Sequence, residues 1–95
     1  MDTKDAYKKK LEAEMAEWDA KIKLLAAKSE NAAADMRVKY AHELDKLRNK
    51  RGKASDKLKE LEESSGEAWH KVKITADQMW DDLKSSIASA VSKFK

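Results

Sequence analysis

The sequence predicts an all-α fold: an antiparallel two-helix coiled-coil hairpin with hendecad spacing. Three observations lead there. Of 95 residues, 41% are charged and 6% aromatic, with two glycines and no proline, and such a balance belongs to long helices and coiled coils. A row at eleven-residue intervals, Leu25, Met36, Leu47, Leu58, Trp69, Trp80 and Val91, is apolar throughout. The companions of that row reflect about the Gly52–Lys53 bond.

Eleven residues complete three helical turns to within about 20°, so the row follows one edge of a helix. The first predicted helix covers about residues 3–50. Backward from Leu47 its stripe runs Leu44, Tyr40, Met36, Ala33, Ser29, Leu25, Ile22, Trp18 and, past Glu14, Leu11, with Met15 as a substitute for Glu14. The predicted turn, about 50–55, is "NKRGKAS". Gly52 can take the left-handed conformation that ends a helix. Lys46, Arg48, Lys50 and Arg51 carry the charge favoured at a helix C-terminus, and Ser55 is an acceptable N-cap. The second predicted helix covers about residues 55–94; forward from Leu58 its stripe runs Leu61, Ser65, Trp69, Val72, Ala76, Trp80, Leu83, Ile87 and, past Val91, Phe94.

Both stripes step by three, four, four when read outward from the centre, as antiparallel packing requires. The implied pairs include Met36 with Trp69, Leu25 with Trp80, Trp18 with Ile87, Leu11 with Phe94 and Tyr40 with Ser65. "ESSGEAW" is the rival break, since Ser64 and Glu67 have capping-box spacing. It would strand Glu60, Glu62 and Glu63 at a helix C-terminus, which the dipole disfavours, so Gly66 is predicted inside a helix. A helix continuous through Gly52 is the other topology the pattern allows, with two chains pairing antiparallel as a domain-swapped dimer.

A second line, Ala13, Ala16, Ala20, Leu24, Ala27, Ala34, Val38 and Ala41, lies roughly 170° from the first at about 100° per residue. It reads either as good helix formers filling a surface or as an oligomer face. Two layers bury little for so many ordered residues. The expectation is therefore a homo-oligomer, either a four-helix bundle or a larger helical assembly.

Candidate chemistry is sparse. Glu67 and His70 form one E-x-x-H, whereas carboxylate-bridged metal bundles need that unit twice. His42-Glu43 lacks the second histidine of a zinc motif. No serine nucleophile stands with a base at useful spacing, and there is no cysteine. The expectation is a non-enzyme with no catalytic, metal or cofactor site. The basic run Lys46, Arg48, Lys50, Arg51, Lys53 lacks interleaved aromatics, and a net charge of +3 gives nucleic acid little support. The tail "KSSIASAVSKFK" places Ile87, Val91 and Phe94 on one face with serines around it, as interfacial helices do. A membrane surface is thus a secondary candidate partner. "MDTKDAYKKK" leads into "LEAEMAEWDA" without an apolar core, and no run approaches the ~18 apolar residues of a span. The expectation is a soluble, cytoplasmic protein.

Taken whole, "LEAEMAEWDAKIKLLAAKSENAAADMRVKYAHELDKLRNKR", "LKELEESSGEAWHKVK" and "MWDDLKSSIASAVSKFK" resemble a group of small bacterial coiled-coil proteins, generally labelled uncharacterised or stress-response proteins. The resemblance spans nearly the whole chain and brings no catalytic residues. It implies a bacterial cytoplasmic origin and a stress link, and "NKRGKAS" departs from the uninterrupted helix expected there. The function expected is self-assembly through apolar helix seams. The alternative is a peripheral membrane-binding or stress-protectant amphipathic protein.

Overall fold

The computed structural model describes residues 3–94, and they form three helices rather than two. α1 spans Thr3–Glu30, α2 Ala34–Glu63 and α3 Ala68–Lys93. They run up, down and up in a bundle about 52 Å long and 18–19 Å across, so α1 and α3 are parallel neighbours and both are antiparallel to α2. The two-helix hairpin is therefore corrected to a three-helix bundle.

The buried positions explain the difference. On α1 they are Leu11, Met15, Trp18, Ile22, Leu25 and Ser29; on α3 they include Ala76, Trp80, Leu83, Ile87 and Ala90, followed by Phe94 just past its end. Both sets alternate steps of four and three, which is heptad packing. A hendecad stripe would have chosen Glu14 over Met15 and Val91 over Ala90. Glu14 is half-buried and Val91 is 42% exposed.

On α2 the seam runs Tyr40, Leu44, Leu47, Arg51, Ala54, Leu58 and Leu61, with Arg51 and Leu58 half-buried. It passes straight through Gly52, which is exposed in mid-helix with no neighbour near its would-be Cβ. Arg51 takes a seam position with its guanidinium donating to both carboxylate oxygens of Asp19, at 2.8 and 2.9 Å. A charged residue and an alanine in succession hid this heptad and imitated a reflection. Ser55, expected as an N-cap, lies inside α2.

The chain turns at two other places. At 31–33 the backbone leaves the helix at Ala33 (φ −61°, ψ 152°), which starts α2 without a side-chain cap. The Asn31 amide donates to the Ala27 carbonyl at 3.1 Å, and Arg37 Nε to the Ala32 carbonyl at 3.0 Å. At 64–67 Gly66 takes φ 59°, alone in positive φ among the described residues, where L side chains are strained. Ser64 leaves the helix in extended conformation, and its hydroxyl donates to the Leu61 carbonyl at 2.8 Å.

The glutamates at this C-terminus do meet an unfavourable dipole, and the compensation comes from α1. Lys4 Nζ donates to the Glu62 carbonyl at 3.1 Å and to the Ser64 carbonyl. Lys8 pairs with the Glu62 carboxylate at 3.0 Å, while within α2 itself Lys57 pairs with Glu60 at 2.8 Å. The Lys8 ammonium is held above its ordinary pKa by the bond to Glu62, in spite of desolvation. Such through-space charge is invisible to a helix-by-helix reading.

The expected pairs also change. Trp80 packs on Trp18 (centroids 5.7 Å apart), Trp69 on Tyr7 (6.4 Å), and Phe94 stacks on Tyr40 (4.1 Å). The partners assigned by reflection, namely Leu25 for Trp80, Met36 for Trp69 and Leu11 for Phe94, are replaced. Tyr40 does not face Ser65, which is exposed in the second turn. Nearly all of the seam residues themselves are core: of the sixteen expected, Met36, Leu58, Trp69 and Val72 are partly buried against the cluster and the others fully buried.

Candidate interaction surfaces

Every member of the second stripe is exposed: Ala13, Ala16, Ala20, Leu24 and Ala27 on α1, and Ala34, Val38 and Ala41 on α2. Leu24 is 60% and Val38 73% exposed, the largest apolar side chains so placed on these two helices. The turn at 31–33 divides the stripe, because each part lies on the outward side of its own helix. The sequence treated it as one line, and the bend makes it two.

The flanks of the α1 part are charged in a definite order. At about 100° per residue, Lys10, Glu17 and Lys28 fall on one side of the line through Ala20, and Glu12, Lys23 and Glu30 on the other. All six are exposed. A second α1 laid parallel about a twofold axis would set Lys10 beside Glu12, Glu17 near Lys23, and Lys28 beside Glu30. Each contact occurs twice, and every one joins opposite charges.

A groove of about 820 Å³ lies between α1 and α3. On each helix two carboxylates lie between two lysines along it, over an aromatic floor. The Tyr7 hydroxyl donates to Asp77 Oδ1, and Lys73 Nζ donates to Asp77 Oδ2 at 3.3 Å while lying 5.1 Å from the Tyr7 ring centroid. Burial, then the bond to Asp77, raises the Tyr7 phenol well above its ordinary range. Burial alone would raise the Asp77 carboxyl, but the bonds from Tyr7 and Lys73 outweigh it and hold the carboxyl below its ordinary value. Trp80 lines the same groove, and its indole Nε1 is buried without a hydrogen-bond partner. The arrangement is an ion-paired surface over the aromatic pairs of the core.

Glu67 and His70 are exposed at the start of α3, where His70 lies against Trp69. His42 is exposed on α2. Among the described residues no group of three or more histidines, cysteines or carboxylates could hold a metal ion. The basic run sits in mid-helix rather than at a tip: Arg51 is committed to Asp19, and Lys50 to Asp82 at 3.1 Å and the Ser86 hydroxyl at 2.6 Å. Of the tail residues, Ile87 and Phe94 are in the core and Val91 is outside it. Among the described residues no helix is long and apolar enough to cross a membrane.

Comparison with protein-family models, curated proteins and solved structures finds no match to this chain.

Proposed function

We propose that this chain is a non-enzymatic helical interaction module whose activity is association with further copies of itself. The carrying observation is the outward α1 stripe, Ala13, Ala16, Ala20, Leu24 and Ala27, exposed on a bundle whose own core is already complete. Small side chains let a second helix approach closely, and the alternating flank charges select a parallel copy and reject an antiparallel one. Like charges, Lys10 against Lys28 and Glu12 against Glu30, meet in the antiparallel arrangement. Steering of this kind sets register and specificity more than affinity. The resemblance to small bacterial coiled-coil proteins agrees with an assembly role in the cytoplasm.

The lipid-binding alternative asks Ile87 and Phe94 to leave the core, which makes it depend on opening of the bundle. The test replaces Ala20 and Ala27 together by Glu. Sedimentation should show an oligomer for the parent chain and a lower mass for the variant, with helicity retained by circular dichroism. An unchanged mass removes this face from the proposal. Flotation of the parent chain with anionic vesicles, against an unaltered oligomer mass, would favour the lipid alternative.

A further inference from the structure

The two turns of the bundle are built differently. The second is locked by Gly66 at φ 59°, by the Ser64 hydroxyl on the Leu61 carbonyl, and by Lys4 reaching across from α1. The first, "NAAA", contains no glycine, no proline and no side-chain N-cap. Three successive alanines are the strongest helix formers available. Ala33 has ψ 152°, where a helix needs about −42°. Only two side-chain bonds, both exposed, hold the turn: Asn31 to Ala27 and Arg37 to Ala32.

The apolar phase also survives straightening. Leu25, Ser29, Ala32, Met36 and Tyr40 follow in steps of four, three, four and four, and all five are buried or half-buried in the bent form. A helix continued through 31–33 would keep them on one side.

The register places a symmetry axis at this turn. Lys8 pairs with Glu62 and Asp19 with Arg51, and in both pairs the residue numbers sum to 70. Two straightened chains that kept these pairs between molecules would cross antiparallel at residue 35, two positions beyond Ala33. The exchange is then closed and isologous, with no surplus end to recruit a third chain.

We propose that two copies of this chain exchange α1. The turn at 31–33 becomes helix, residues 3–63 form one continuous rod, and each α1 docks on the α2–α3 hairpin of the other copy. Every interhelical contact of the bundle is kept, including Trp18 on Trp80 and Arg51 with Asp19, but between chains. The helix gains the backbone bonds that the bend forfeits. This inference deepens the self-association reading in taking a second copy as the partner, and it uses a different contact.

The experiment uses the full chain, with mass by light scattering after gel filtration and maximum dimension by small-angle scattering over a range of concentrations. The exchanged dimer should measure about 96 Å, since residue 3 of each chain lies about 32 residues from the axis on opposite sides at about 1.5 Å each, against 52 Å for the bundle. Ala34→Pro discriminates. Proline suits the first turn of α2 in the bent form, and Ala33 already has the extended conformation preferred before proline. In the straight rod it interrupts a helix interior, weakening the dimer about a hundredfold per helix. The variant should be a monomer of parental helicity.

Asn31→Ala with Arg37→Ala, which frees the bend, should raise the dimer fraction; a fall or no change overturns the proposal. Mixing Lys8→Cys chains with Glu62→Cys chains under oxidation should give a covalent heterodimer that Ala34→Pro abolishes. A dimer that survives Ala34→Pro but not the double glutamate variant overturns exchange and leaves the α1 face reading standing. Loss in Ala34→Pro alone supports exchange and removes the face. A monomer at every concentration overturns both.

Discussion

Replacing each glycine by alanine separates the observed fold from the hairpin by sign alone. Gly52 sits in the interior of α2, exposed, with nothing within 4 Å of a Cβ built there. Alanine at that site meets no neighbour and gains helix propensity, so Gly52→Ala should stabilise by about 0.8–1 kcal/mol. Gly66 has equally open surroundings but φ 59°. There an L side chain meets its own backbone at a cost of about 1–2 kcal/mol, partly offset because alanine narrows the unfolded ensemble by about 0.4–1 kcal/mol. The net for Gly66→Ala is a loss of about 1 kcal/mol. For a domain of this size 1 kcal/mol moves the thermal midpoint by about 4–8 °C. Circular dichroism melts should therefore place Gly52→Ala above the parent and Gly66→Ala below it. Had the chain turned at Gly52, the order would invert. Gly52→Ala melting below the parent while Gly66→Ala melts above it would refute the placement of both turns.

Three further outcomes follow from the core and its registers. Leu83 is fully buried, so Leu83→Ala should cost about 2–5 kcal/mol in urea unfolding, the range of cavity-forming substitutions; a loss under 1 kcal/mol would mean that α3 is loosely seated. Cysteines at Ser29 and Ala76 should fail to form a disulfide within the bundle. The Trp18–Trp80 contact sets Ala76 level with the first half of α1, roughly 20 Å along the axis from Ser29 at about 1.5 Å per residue; ready oxidation would restore the reflected register. Tyr7→Phe should lower stability by about 1 kcal/mol at neutral pH, since the bond to Asp77 is charge-assisted but half-exposed. The Asp77 pKa is lowered by folding, so this contribution is present above the ordinary carboxylate range and disappears as acid titrates through the folded value. The Tyr7 pKa is raised by folding, so the contribution is likewise present below the ordinary phenol range and is lost as strong alkali ionises the folded phenol. Parallel stability curves for parent and variant across the acid limb would remove Asp77 as the partner.

Much of the core was legible because burial leaves a periodic trace in any amphipathic helix. Leu11, Trp18, Ile22, Leu25, Leu44, Leu47, Leu61, Trp80, Leu83 and Ile87 are all buried where the stripes put them. The outward stripe was legible for the same reason, and all eight of its members are exposed. Two core positions, Ala54 and Ala90, lie off the expected stripes, and Met15 entered only as a substitute for Glu14; strict three-four alternation, carried through Arg51 on α2, finds all three.

What the sequence determined by itself was helicity and the side each residue shows: propensity, charge and apolar period are local and travel with the chain. What only the tertiary structure decided was how many helices there are and which faces meet. A turn at Glu62–Gly66 looks costly when α2 is considered alone, because its acidic end opposes the dipole. Lys4 and Lys8 supply the missing charge from α1, 58 and 54 residues away in the chain. Arg51 looks like a seam-breaker until Asp19 arrives from another helix to pair with it. In both cases the deciding interaction is electrostatic and acts through space, and no spacing along the chain encodes it.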